Sequence, residues 1–213
     1  ARGKKLIEEL KLKNIEIRHA NIMDIGPKEG QFDYIIVHGI FSWVPKEVQE
    51  KILEICKKNL SPNGVAYVSY NVFPGWRMRG MIRDMMLYHT KRFATPQQKL
   101  QQARALLEFM VQSVPQDNNP YGSFLKSELE LLRQQSDNYL FHDHMEENNS
   151  PCYFHEFVER ADKHGLRYLG DADMRTMSTH DLHAEAKKLL TTAPNQIESE
   201  QYMDFLRNRM FRM

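Results

Sequence analysis

The chain has 213 residues, with 29 Lys plus Arg against 28 Asp plus Glu and a formal charge of +1. That length suits one large domain or a domain with an insertion, and the neutral balance removes the electrostatic case for a nucleic-acid binder. No apolar run is long enough for membrane insertion, and two cysteines, Cys56 and Cys152, are too few for a disulfide framework, so a cytoplasmic protein is the simplest expectation.

From the start, residues 1–12 read as a helix with Leu6, Ile7 and Leu10 on one face. Asn14 breaks it, and Ile15–His19 alternates like a strand. Residues 20–25 then form a loop at that strand's carboxyl end, where open parallel sheets bind ligands. The stretch from Phe32 to Trp76 organises the rest. Tyr34-Ile35-Ile36-Val37 is a continuous apolar run, the pattern of a strand covered on both faces. Pro45 opens a helix through Leu60 with Val48, Ile52, Leu53, Ile55 and Cys56 at helical spacing, so Cys56 reads as a buried thiol. Ser61-Pro62-Asn63-Gly64 turns the chain into a second strand, residues 65–70. Strand, helix and strand predict one right-handed crossover of a parallel sheet. Helices are expected over 77–93, 97–114 and 123–135, with a polar loop over 115–122. A further helix runs from Ser150-Pro151 to Lys163 and is closed by Gly165. Leu166–Leu169 predicts a return to the sheet. The tail from Thr179 reads as helical and polar, broken at 191–195, and ends in a basic, aromatic stretch over 201–213.

The runs FDYIIVHGIFSWVP and ILEICKKNLSPNGVAYVSYN resemble the fourth and fifth strands of class I S-adenosylmethionine-dependent methyltransferases. YNVFPGW, YFHEFVERADKHGLRYLGDADMRTM and QYMDFLRNRMFR resemble the bacterial members that carry a methyltransferase regulatory domain, a neighbourhood that includes rickettsial protein-lysine methyltransferases. The resemblance implies an α/β, Rossmann-like methyltransferase sheet, here without its N-terminal strands, with a helical insertion and a C-terminal regulatory segment. The expected division is a partial core over 1–76, the insertion over 77–150, and a returning helix and strand with the regulatory segment over 151–213. The insertion reads equally as a bundle covering the sheet edge or as a substrate arm.

The resemblance implies S-adenosyl-L-methionine as cofactor, held by Asn21 and Ile22 at the adenine and by His38, Gly39 and Ile40 at the end of the first central strand. Asn21 stands where relatives carry an acid, and its carboxamide oxygen can accept the same bond. Asn21 also fits an ordinary turn, and His38 is expected to border the ligand rather than transfer protons. The loop Tyr70-Asn71-Val72-Phe73-Pro74-Gly75-Trp76 is the candidate acceptor site. Methyl transfer from a sulfonium needs an aligned, desolvated acceptor more than a strong base, and aromatic walls favour cationic groups. Tyr70 and Asn71 are expected to orient a neutral lysine amine, with Phe73 and Trp76 as aromatic surface; the structural alternative makes Phe73 and Trp76 core plugs. His142-Asp143-His144 with Cys152, His155 and Glu156 suggests metal-ligand chemistry, but the spacing does not converge, so no metal is expected. No G-x-G-x-x-G occurs, nor an upstream acid for the ribose hydroxyls, so the sequence reads as starting after the second strand. The expectation is an enzyme acting on a protein side chain such as lysine, inactive at this length and compatible with oligomers. The alternative is a non-catalytic regulatory or protein-binding module built on a relic sheet.

Overall fold

The computed structural model describes residues 2–213, so Ala1 of the expected first helix lies outside the described residues. That helix, α1, spans Arg2–Glu9, and Leu6 within it and Leu10 just after it stay exposed. Ile15–His19 is not a strand. It runs exposed and pairs with no strand among the described residues, and alternation without a partner makes no ladder.

β1 (Phe32–Val37) and β2 (Leu60–Val68) pair in parallel, Tyr34 opposite Val65 through Val37 opposite Val68, and α2 (Lys46–Asn59) connects them. Residues 61–64 do not form a separate turn. They are absorbed into β2 where the register shifts between Phe32 and Tyr34, and Ser61 Oγ donates to Asp33 Oδ1 at 2.8 Å. α2 buries Ile52, Leu53 and Cys56 against Val37, Phe41 and Val72. Desolvation pushes the Cys56 thiol up to about 11. The opposite sheet face differs from the expectation of cover on both sides: Tyr34 is 74% and Ile36 71% exposed, because α2 and the rest of the core cluster pack on one face of this two-stranded sheet. The expected strand over 65–70 is split, since Tyr70 leaves β2 and pairs elsewhere. β3 (Tyr70–Asn71) runs antiparallel to β4 (Phe211–Arg212), Tyr70 opposite Arg212.

Between β3 and β4 lies a helical layer. α3 (Gly75–Thr90), α4 (Pro96–Ser113), α5 (Pro120–Arg133) and α6 (Asp137–Met145) enclose a second core of Ile82, Met86, Ala103, Leu107, Leu125, Leu132 and Leu140. Their starts follow local chemistry. Thr95 and Gln98 form a capping box ahead of α4. Asn119 Oδ1 accepts from the Tyr121 and Gly122 amides, which starts α5 three residues before the expected Ser123. Ser136 caps α6, a helix that the sequence pattern did not predict.

α7 (Phe154–Lys163) ends as expected at Gly165, φ +70°, with the Leu166 N–H donating back to the Ala161 carbonyl at 3.0 Å. Residues 166–169 are irregular rather than a strand. The first is used in that cap, and Tyr168 is held by its side chain, donating to Glu200 at 2.6 Å. α8 (Ala184–Thr191) and α9 (Gln196–Arg207) follow, and Asn208, φ +47°, turns the chain into β4. No helix among the described residues is long and apolar enough to cross a membrane.

Candidate active site

The candidate loop leaves β3 and enters α3, and other segments grip it on both sides. The Asn71 N–H donates to Ser42 Oγ at 2.8 Å, and its Nδ2 donates to Asn149 Oδ1 at 3.0 Å. The Phe73 N–H donates to the Cys152 carbonyl, and the Cys152 N–H donates to the Asn71 carbonyl. On the other flank, the Val72 N–H donates to the Met210 carbonyl at 2.9 Å and the Gly75 N–H to that of Arg209 at 3.0 Å. A Cβ at Gly75 would lie 2.5 Å from the Asn208 carbonyl oxygen and 2.6 Å from that of Arg209. Backbone cannot move aside as a flexible side chain can, so Gly75→Ala should cost roughly 1–3 kcal/mol in a denaturation experiment. A neutral result would mean that the 208–210 segment yields freely.

The four loop residues singled out divide by burial. Tyr70 stacks on Phe157 at 3.9 Å between ring centroids, and burial holds its phenol well above its usual value, so it stays neutral and is no base. Trp76 is 3% exposed and meets Trp43 edge-on at 5.9 Å. Asn71 is also buried, but its carboxamide oxygen accepts no hydrogen bond from the described residues. Phe73, half-buried, carries the Arg77 guanidinium 3.8 Å over its ring and faces Tyr153 at 5.4 Å. The Phe73–Pro74 peptide is cis.

The cofactor candidates belong to two segments of the chain. At the end of β1, Gly39 has φ +68°, donates its N–H to Ser69 Oγ at 2.8 Å, and has open space where a Cβ would stand. His38 Nδ1 lies 3.0 Å from the Tyr67 hydroxyl, and Ile40 is 42% exposed. A left-handed glycine beside an exposed apolar side chain at a strand's carboxyl end is a shape into which a ligand fits. Asn21 and Ile22 sit at the 3-10 turn ahead of β1. Ile22 packs against the α/β core, while the Asn21 oxygen accepts from the Met23 N–H at 3.0 Å and caps a 3-10 turn. One lone pair therefore does turn work and the other remains for a ligand.

Ser42, Trp43, His142 and Asn149 join the loop through packing that spans the chain, and sequence spacing did not reveal them as neighbours. On α6 the two histidines separate, because residues two apart diverge on a helix. His142 lies 4.4 Å from Trp43, whereas His144 is fully buried with neither ring nitrogen hydrogen-bonded among the described residues. Burial, with Arg79 and Arg83 nearby, depresses His144 to about 3. His155 Nδ1 pairs with Gln201 at 2.9 Å and Glu156 accepts from the Tyr153 N–H at 2.8 Å; among the described residues no group of three such side chains could hold a metal ion. Cys152, pushed up to about 12 by burial, is no nucleophile.

Comparison with known proteins decides the family. A model described as a methyltransferase domain matches residues 1–68, and one described as a predicted methyltransferase regulatory domain matches residues 136–213. An uncharacterized protein of Rickettsia prowazekii is 44% identical over 167 residues, which cover 78% of this chain and 67% of that protein. The chain belongs to the methyltransferase family that carries this regulatory domain. A second protein of that organism, also uncharacterized, is 48% identical over 98% of this chain and 38% of its own length. Among solved structures of the family, PKMT2 from Rickettsia typhi matches with a TM-score of 0.88 and 43% identity over 99% of this chain and 40% of that one. The same protein in complex with AdoHcy gives 0.88 and 44%. The chain thus spans about two-fifths of the length of the 48% identical relative and of PKMT2.

Proposed function

We propose that this chain is part of an enzyme that transfers a methyl group from S-adenosyl-L-methionine to a protein side chain, most simply a lysine amine. What carries the reading is the agreement in fold with PKMT2, which extends over 99% of the chain and includes a structure with AdoHcy. The low cysteine count fits action in the cytoplasm. Gly39, His38 and Ile40 would border the cofactor at the end of β1, with Asn21 and Ile22 at its adenine. The cofactor supplies an electrophilic methyl group.

The residues of the chain do the rest. Asn71, its carboxamide fixed by Asn149, offers its oxygen to an amine N–H and so directs the nitrogen lone pair. Phe73 excludes water, which favours the neutral amine over an ammonium whose unperturbed pKa is about 10.4. Tyr70 and Trp76 anchor the two ends of the loop in packed surroundings.

The test is transfer of labelled methyl from S-adenosylmethionine by the intact protein, offered intact proteins and, separately, lysine-blocked copies. Label on the first and none on the second is expected. Label only on small molecules would remove the protein-acceptor reading, and no transfer at all would favour the non-catalytic module. The 213-residue chain by itself should bind S-adenosylmethionine more weakly than millimolar by calorimetry, about 4 kcal/mol or less, because it contains no glycine-rich turn to take the ligand's polar part. Micromolar binding would contradict that.

A further inference from the structure

The flank of the candidate loop formed by residues 209–212 is itself held from behind by a buried ionic cluster. Arg212 is 2% exposed, and all five of its N–H groups have acceptors. Nε donates to Asp204 Oδ2 at 2.9 Å, and Nη2 to Asp204 Oδ1 at 3.0 Å and to the Glu200 carbonyl at 3.2 Å. Nη1 donates to Glu200 Oε2 at 2.7 Å and lies 3.4 Å from the Tyr168 hydroxyl. The guanidinium also lies 3.7 Å over the Phe154 ring. Asp204 and Glu200 belong to α9 and are 0% and 2% exposed. Arg209, between them and the loop, holds Asp171 at 2.6 Å and Thr176 at 3.0 Å. The backbone of these same arginines meets the loop: Arg212 pairs with Tyr70, and the Arg209 carbonyl takes the Gly75 N–H.

A buried network of this kind adds little net stability compared with apolar residues of the same shape, but it specifies geometry, because a planar fork with five satisfied donors fits in one way. We propose that Arg212 is a positioning residue for methyl transfer: seated on Asp204 and Glu200, it fixes β4, and β4 fixes the Tyr70–Trp76 loop. The inference rests on the assignment of that loop as the acceptor site. The regulatory-domain segment would thereby set the shape of the acceptor site without touching substrate.

Arg212→Lys, made in the intact protein, keeps the charge and loses the fork. Two readouts are needed: amide hydrogen exchange and steady-state kinetics. The expected result is that the Val72 and Gly75 amides exchange at least about tenfold faster while the β1–β2 ladder keeps its protection, the mark of a local opening. With it, kcat should fall about tenfold and the KM for S-adenosylmethionine stay unchanged, since only positioning is lost. Unchanged exchange at Val72 and Gly75 would overturn the proposal, as would equal acceleration throughout the molecule, which is plain destabilisation. Faster loop exchange with full kcat would leave the clamp standing and remove the acceptor assignment. If Arg212→Lys does not fold, Tyr168→Phe is judged by the same criteria with about a threefold change expected. It keeps the ring against Phe154, 4.9 Å between centroids, and deletes only the hydroxyl shared with Glu200 and Arg212.

Discussion

Trp76→Ala should destabilise the protein by about 3–5 kcal/mol, seen as a fall of roughly 6–20 °C in thermal midpoint. Trp76 is 3% exposed at the start of α3, edge-on to Trp43, with the Arg79 guanidinium 5.9 Å from its ring. Deleting an indole there leaves a cavity between the loop and the helical layer, and Trp43 and Arg79 lose a packing partner together. Asn71→Ala should behave differently. It removes one amide that donates to Asn149, so its stability cost should be about 1 kcal/mol. Turnover should drop by about a hundredfold with cofactor affinity unchanged, because the group that orients the acceptor is gone. Melting temperature, cofactor affinity and methyl transfer on both variants separate anchor from orienting group. A Trp76→Ala protein that stays stable but turns over slowly would make the indole a pocket wall. Full activity in Asn71→Ala would remove the acceptor assignment.

The second large effect is on acid stability. His144 keeps its proton off down to about 3 in the folded protein, chiefly because burial penalises the imidazolium. In the unfolded chain an imidazole takes up its proton below about 6.5. Between those values the unfolded state binds more protons, so His144 favours folding fully above 6.5 and progressively less as the pH falls. The slope is about 1.4 kcal/mol per pH unit, so roughly 2 kcal/mol should be lost between pH 6.5 and pH 5. His144→Leu should abolish that part of the slope, and urea titrations of both proteins across this range measure it. Burial raises Glu128 on α5, an effect of opposite sign, which the comparison of variant and parent cancels. Identical slopes would assign the acid sensitivity to another group.

What the sequence revealed follows the range of the forces involved. Tyr34–Val37, the α2 face of Ile52, Leu53 and Cys56, and the stretch of the next strand from Val65 to Val68 were legible because strand and helix patterns are local. So was Gly165 as a helix end. Ile15–His19 misled because its alternation was real but its partner was not supplied by the described residues. Leu166–Leu169 misled because the preceding helix cap consumed its first residue. The loop over 70–76 could be singled out from its place after a sheet strand. Ser42, Asn149 and His142 around it could not, since they arrive from a 3-10 turn, an irregular segment and an unpredicted helix that only tertiary packing brings together. Nor did the sequence disclose that Tyr70 and Trp76 are buried while Phe73 lies half-open, which turns on packing rather than on residue type.

The pairing of Tyr70 with Arg212 also sets an order of assembly. The two residues are separated by more than half of the chain, so their contact closes a long loop and is among the last to repay its entropy. On the ribosome, α2 with its two strands and the whole helical layer emerge and can pack before residue 209 is made. The candidate acceptor loop, synthesised early, therefore waits unclamped until nearly the last residues of this segment appear. A nascent chain should thus be folded in both of its cores before it can hold an acceptor in place.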